Sequence, residues 1–361
     1  MTNPYIRSNT KVRGIMIDVI MALLPMAVVA FLAYGSVALA IIGTSVGGAL
    51  LSELLFSIVL LRKKKTVFDG SAIITGLLLA FIISPNTPLP VVAFGACTAV
   101  LFGKILWGGI GKNRFNPALV GRELMAVFFP AVMGGAAAWV AKYPINVPAL
   151  HNFSFFESDV LNVLSDGLIY KTSGALGEYS VLAIALGGMY LLIRNRISWH
   201  IPLGLLSTFV LGTWLLQGDM PLKYSTAGVL LAAVFMATDM PSSPVTSPGK
   251  LFYGIMIGVS TLILIKTGVK YEYMSYSILI LNGFTEWINS VFHTRAWGVD
   301  TNWKLRIENT GCLVLAILTV TFAVSALYAN HLMNYTIYLF IVYVVLKYIY
   351  YYRRYLSNLV S

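Results

Sequence analysis

The sequence predicts an all-α polytopic membrane protein. It reads as an inverted-repeat bundle of about 10 core transmembrane helices followed by a C-terminal helical pair. Three observations carry this. The 361 residues are 58% hydrophobic and only 11% charged, with mean hydropathy +0.80, whereas soluble domains carry about 25% charged residues. Apolar runs near the length of a bilayer crossing recur along the whole chain. The net charge of +11 collects in alternate connections, as expected when Lys and Arg are retained on one side of a membrane.

Taken in order, the spans fall near 14–34, 36–61, 69–84, 88–107, 116–134, 177–193, 200–217, 224–239, 251–267, 274–292, 311–329 and 334–350. The spans at 69–84 and 224–239 are short, as half-helices buried in a bundle are. Basic residues test the threading. Arg7, Lys11 and Arg13 precede the first span, and Arg62 to Lys65 follow the second. Lys112 and Arg114 follow the fourth, and Arg194 and Arg196 the sixth. Arg295, Lys304 and Arg306 follow the tenth, and Arg353 and Arg354 the last. All fall on one side, so both termini are expected to be cytoplasmic. The acidic balance of segment 136–176, with Glu157, Asp159 and Asp166, suits the outer face. The polar, basic start shows no cleavage pattern of a signal peptide. The positive charge is thereby explained without nucleic acid. Cys97 and Cys312 lie far apart with no Cys or His at ligand spacing, so no metal centre or disulfide is expected.

Two stretches stop their helices in the same way. Leu77 to Pro90 runs from an apolar half-helix into a polar segment with Pro85, Pro88 and Pro90. Leu230 to Pro241 does likewise, and the break continues through Pro244 and Pro248 with Ser242, Ser243, Thr246 and Ser247 between. Proline lacks the N–H and fixes φ, so no helix continues through either. Open backbone at membrane depth is tolerated where it lines a cavity or is buried in protein. An ordinary surface loop between spans is the alternative. On this threading the first break is outside and the second inside. The expected division is a first repeat at about 14–134, an outer loop at 136–176 and a second repeat at about 177–296. Residues 299–361 form an added hairpin and basic tail.

Several side chains carry potential chemistry. Asn116 is placed to cap a helix with Pro117 at its first turn, and a buried helix N-terminus can hold an anion or a polar ring edge. With Thr238, Ser242 and Thr246 it forms the candidate cofactor or interface site. Acids inside apolar spans cost about 2.5–3.5 kcal/mol each on insertion scales. Asp18, Glu53, Asp69, Glu123, Glu178, Asp239 and Glu286 are such acids. Asp18, Glu53 and Asp239 are the candidates for an ion or proton path, and pairing with Arg or Lys is the plain alternative for each. Gly174 to Glu178 is a glycine-rich turn that shapes a site or caps the next helix.

These pieces together resemble the RnfD/NqrB family, the membrane subunits of Rnf-type and sodium-pumping NADH-linked oxidoreductases. The resemblance rests on Asn3 to Ser8, Ile17 to Pro25, Ser71 to Ala80, Asn116 to Leu119, Gly174 to Ser180, Gly187 to Tyr190, Trp199 to Pro202, Phe235 to Pro248 and Tyr276 to Asn282. It covers roughly residues 3–298 in the family's order and leans toward the D subunit of Rnf complexes. It implies a multi-pass subunit of a bacterial inner-membrane complex. Partner subunits would carry iron–sulfur and flavin groups, and electron transfer would be coupled to Na⁺ or H⁺ movement. The subunit would not be catalytic alone.

The resemblance also implies flavin, FMN or riboflavin, and here the chain departs from the pattern. The family esterifies FMN to the Thr of a Ser-Gly-Ala-Thr motif in the outer loop, and that motif is not found. Thr172 stands six residues after Asp166, the motif's own Asp-to-Thr spacing, but lacks the Ser-Gly-Ala before it. Non-covalent flavin or loss of this site are the alternatives. A non-redox carrier or channel, or a catalytically silent scaffold on the same fold, is the alternative function.

Overall fold

The structure is a computed structural model that describes residues 12–62, 66–134, 174–216, 224–293 and 303–360, with side chains through 351. Among these residues the regular structure is entirely helical. The first half contains α1 (Val12–Tyr34), α2 (Ser36–Val59), α3 (Ser71–Phe81), α4 (Leu89–Gly103), α5 (Pro117–Phe128) and the single turn α6 (Pro130–Met133). The second contains α7 (Val181–Ile193), α8 (His200–Leu216), α9 (Thr226–Leu231), α10 (Ser247–Lys266) and α11 (Tyr273–Val291). A hairpin of α12 (Trp303–Ala329) and α13 (Met333–Val360) follows. Six stretches are long and apolar enough to cross a membrane: α1, α2, Leu89–Trp107, α10, α12 and Met333–Tyr351. The fold is that of an all-α, multi-pass membrane protein.

The two short helices behave as their prolines dictate. α3 has 11 residues, about 16 Å at 1.5 Å per residue. That is roughly half of the ~30 Å hydrocarbon core. α9 runs on into a π-turn, Ala232–Met236, so it stops at Met236 after a similar rise. Their directions are opposite. Asp18 near the start of α1 pairs with Arg194 and Arg196 beyond α7. Tyr34 at the end of α1 packs edge-on against Tyr179 ahead of α7, with ring centroids 5.8 Å apart. α1 and α7 are therefore antiparallel. α2 returns to the end where α1 begins, and α3 starts there. α9 starts at the other end, where Ser225 hydroxyl donates to Glu178 at 2.6 Å and Ser225 N–H to Tyr273 hydroxyl at 3.0 Å. The end holding Arg62, Lys104, Lys112, Arg114, Arg194 and Arg196 is called the basic end below, and the other the far end.

Packing follows the same order in each half. α2 lies on α3 and α4, and α4 on α5. α8 lies on α10, and α10 on α11. α1 against α7 joins the halves. Glycine allows the closest approaches. A Cβ on Gly187 of α7 would strike the Ala22 carbonyl of α1, and one on Gly254 of α10 would strike the Ile201 carbonyl of α8. Contacts of this small-residue kind hold helices together in lipid, where burial of apolar surface gives little drive. The apolar residues left outside, such as Leu51, Leu55, Ile193, Trp214 and Leu215, form a surface suited to lipid.

The C-terminal hairpin lies on both halves. α12 packs on α10 and α11, with Ser260 and Thr321 hydroxyls 3.1 Å apart in a buried seam. α13 packs on α5 and the turn at 105–107. There Lys347 Nζ sits 4.0 Å from the Trp107 ring centroid, and Tyr348 hydroxyl donates to the Leu60 carbonyl at 2.9 Å. The hairpin is therefore docked on the core rather than hanging as a separate anchor.

Candidate functional site: the second helix break

The second break lies at the basic end, where its polar groups pair both locally and with other helices. The π-turn moves the Ala237 N–H onto the Ala232 carbonyl at 2.8 Å, the i→i+5 spacing often found at functional sites. Thr238 hydroxyl turns back to the Val234 carbonyl. The Met236 carbonyl, with no helix to continue into, accepts from Asn116 Nδ2 at 3.2 Å. Asn116 is the N-cap of α5, its Oδ1 accepting from Ala118 N–H at 3.0 Å, and Pro117 follows at the first helical position as expected. One carboxamide thus ties the start of α5 to the end of α9.

Asp239 is the charge of this site. Ser242 hydroxyl and Asn113 Nδ2 donate to its Oδ2 at 2.8 and 3.3 Å. Among the described residues no Lys or Arg pairs with it. A carboxylate just past a helix C-terminus meets the negative end of the helix dipole, so the arrangement favours a counter-cation. Met240 beside it is 53% exposed, and the break opens outward there. Below, Asn282 in α11 is fully buried. In the orientation that satisfies both ends of its amide, it accepts from Asn116 N–H at 3.1 Å. It then donates to the Ser242 carbonyl at 3.2 Å and to Tyr253 hydroxyl at 2.5 Å. Thr285 hydroxyl donates to the same Ser242 carbonyl at 2.7 Å. Side-chain hydrogen bonds from Asn282 and Thr285 hold the break.

Of the expected site residues, Asn116, Thr238, Asp239 and Ser242 meet here. Thr246 stands nearby as the N-cap of α10, accepting from Gly249 N–H at 3.3 Å. Asp18 and Glu53 lie apart from the break and are ion-paired. Arg196 Nε and Arg194 Nη2 reach Asp18 at 2.6 and 3.2 Å, and Tyr190 hydroxyl adds a third bond at 3.2 Å. Glu53 is fully buried in α2 and takes Lys104 Nζ on both oxygens, at 2.7 and 2.8 Å. Ser71 hydroxyl bonds the same Nζ and donates to Asp69 Oδ1 at 2.5 Å. Glu178 accepts from Ser225, and it is Ser180, not Glu178, that caps α7. Thr172 lies outside the described residues.

Sequence reasoning assigned no role to Asn113, Tyr253, Asn282 or Thr285. Asn282 had a usable signal, since a carboxamide in the middle of the apolar run of α11 needs buried partners. Tyr253 and Thr285 had none, because both residue types are ordinary in such helices.

The four residues expected to contact a flavin, Asn116, Thr238, Ser242 and Thr246, have partners within the protein. Asn116 and Ser242 are each 1% exposed.

Comparison with known proteins gives one consistent result. The family described as NQR2, RnfD, RnfE matches residues 1–298. The D subunit of the Na⁺-translocating ferredoxin:NAD⁺ oxidoreductase complex of Acetobacterium woodii is 35% identical over 303 residues, spanning 82% of this chain and 94% of that protein. The D subunit of the proton-translocating ferredoxin:NAD⁺ oxidoreductase complex of Clostridium ljungdahlii is 32% identical over 311 residues, 80% of this chain and 92% of its own. The D subunit of the ion-translocating oxidoreductase complex of Methanosarcina acetivorans is 32% identical over 289 residues, 79% and 92%.

Proposed function

The chain belongs to the NQR2, RnfD, RnfE family, and from that premise we propose that it is a membrane subunit of an Rnf-type ion-translocating oxidoreductase complex. It works beside subunits bearing iron–sulfur and flavin groups, in a bacterial inner membrane, with both termini cytoplasmic. Electron transfer in the complex drives a cation, Na⁺ or H⁺, across the bundle. The names of the relatives divide between these two ions, so the ion is a matter for experiment.

The observation that carries the reading is Asp239. It is a carboxylate in a helix break with hydroxyl and amide donors but no cation of its own among the described residues. The opposed half-helices α3 and α9 support two inverted repeats with the ion path between them. In this reading Asp239 receives the cation at the basic end. Asp18 and Glu53 act on the path through their ion pairs, which hold α1 to the segment after α7 and α2 to α4.

The test is affinity purification from native membranes followed by ion uptake into vesicles during ferredoxin-linked NAD⁺ reduction. Partner subunits should co-purify. Asp239→Asn should cut ion uptake at least tenfold while the complex stays assembled. Purification without redox partners would favour the carrier or scaffold reading, and full uptake by the Asp239→Asn complex would remove Asp239 from the path. We also propose that the chain carries no FMN ester, since the Ser-Gly-Ala-Thr motif is not found. The denatured chain should then show no flavin fluorescence in a gel, and a flavin-bearing peptide containing Thr172 would overturn this.

A further inference from the structure

A half-buried lysine stands near the basic end of α13 with no acid to meet it. Lys347 lies four residues before Tyr351, where the apolar stretch Met333–Tyr351 ends, about 6 Å along the helix. Its Nζ sits over the Trp107 ring, 4.0 Å from the centroid. Trp107 Nε1–H donates to the Phe102 carbonyl at 2.9 Å, so the indole offers the lysine its face. Neighbouring rings fix that indole. Tyr343 and Phe115 pack on it with centroids 6.4 and 5.7 Å away, and Phe340 packs on Phe115 at 5.5 Å. Next to Lys347, Tyr348 hydroxyl ties α13 to the Leu60 carbonyl at the end of α2.

A second ammonium comes from the turn after α4. Gly108, at φ +110°, has no side chain, and the stem of Lys112 folds across it. A Cβ there would lie 2.9 Å from Lys112 Cδ and 3.8 Å from its Nζ. The two ammonium groups thus flank adjacent residues, 107 and 108. Among the described residues neither meets a carboxylate, and Arg114 beside them takes Glu286 at 3.5 Å. The N–H groups of Ile110 and Gly111 in the same turn have no hydrogen-bond partner among the described residues, and successive N–H groups of such turns bind anions. A cation inside an apolar span needs a partner or must reach the interface. The contact with Trp107 offers attraction but no counter-charge. On the flank of α13 next to Lys347, Leu339, Val342 and Leu346 are exposed and spaced to share one face. Cations and unpartnered N–H groups at the end of an exposed apolar face fit a ligand with an anionic head and an apolar body.

We propose that Lys347 and Lys112 bind the phosphate of an anionic phospholipid beside Trp107, with its acyl chains along the Leu339, Val342 and Leu346 flank of α13. Basic groups between helices at a membrane surface recognise such headgroups by charge. The Ile110 and Gly111 N–H groups add hydrogen bonds to phosphate oxygens. A zwitterionic lipid carries the same phosphate, but its own cation opposes the two lysines, so the site selects a headgroup of net negative charge. The lipid joins α13 to the turn after α4 and so seals the hairpin to the first half. The site does not depend on which ion the complex moves.

Quenching of tryptophan fluorescence in the purified complex tests it. The complex is reconstituted in phosphatidylcholine containing a small fraction of either phosphatidylglycerol or phosphatidylcholine, brominated near the headgroup end of the acyl chains. The difference between the intact complex and a Trp107→Phe complex isolates Trp107 from the other tryptophans. At equal fractions, brominated phosphatidylglycerol should quench Trp107 more strongly. Lys347→Gln and Lys112→Gln should each lower that preference about fivefold, and Lys347→Arg should keep it. Lys112 is exposed, so Lys112→Gln carries the test should Lys347→Gln not assemble. Equal quenching by the two lipids would overturn the proposal, by reducing the site to ordinary bilayer contact. A preference unchanged in the assembled Gln variants would overturn it as well. Quenching by neither lipid would mean that a neighbouring subunit covers Trp107, and would replace the lipid with a protein contact.

Discussion

Each buried acid in this protein is settled by what stands within a few ångströms of it. Glu53 and Lys104 are 0% and 3% exposed in their side chains and meet at 2.7 Å. Removing one partner of such a pair strands the other and costs about 3–5 kcal/mol, whereas replacing both with apolar residues is often near neutral. Lys104→Met should therefore sharply lower the thermal stability of the complex, and Lys104→Met with Glu53→Leu should recover most of it. A double variant as unstable as the single one would show that Glu53 does more than neutralise Lys104. Asn282 follows the same logic with uncharged groups. Asn282→Leu leaves Asn116 N–H and the Tyr253 hydroxyl short of partners, at about 1–3 kcal/mol for each buried orphan. Thermal unfolding should show the loss, and hydrogen exchange should rise first at the break, 237–246.

At the scale of elements, the prolines stop α3 and α9 and the glycines let their neighbours close in. α10 lies so close to α8 that Gly254 has no room for a side chain. Overpacking usually costs about 1–3 kcal/mol, and here the obstacle is backbone, which cannot rotate away. Gly254→Leu should reduce folded protein in membranes, read as a smaller monodisperse peak in size-exclusion chromatography of a fluorescent fusion. The break itself was legible in sequence from its prolines and hydroxyls. The π-turn before it was not, because nothing in Ala232 to Met236 differs from an ordinary apolar helix. Beyond it the Met236 carbonyl accepts from Asn116 on another helix, a partner 120 residues away in the chain.

For the whole molecule, the alternation of ends is internally consistent, from the α1–α7 pairing to the return of α13 beside Trp107. The proposed topology, with both termini on one side, requires an even number of crossings. Cysteines introduced as Thr2→Cys and Ser361→Cys, with Cys97 and Cys312 replaced, should react with an impermeant maleimide from the same side of the membrane. Labelling from opposite sides would mean a miscounted span. The hairpin seated on both halves also carries a consequence for motion. Any movement of the second half against the first must carry α12 and α13 with it or slide beneath them.

The sequence by itself determined what is local. Apolar runs set the helices, prolines set the two breaks, and Asn116 with Pro117 set the start of α5, because each of these acts within a turn or two of chain. The family resemblance over residues 3–298 was legible for the same reason, as short motifs in order. Only the tertiary structure decided which acids are neutralised. Asp18 finds arginines 176 and 178 residues away and Glu53 a lysine 51 residues away, whereas among the described residues Asp239 finds an asparagine 126 residues away and a nearby serine. Glu123 meets its neighbour Arg122 at 3.4 Å, and that arginine also bonds Ser275 and Tyr271 about 150 residues away. Charge is balanced in space, across helices brought together by packing, and spacing along the chain does not record it.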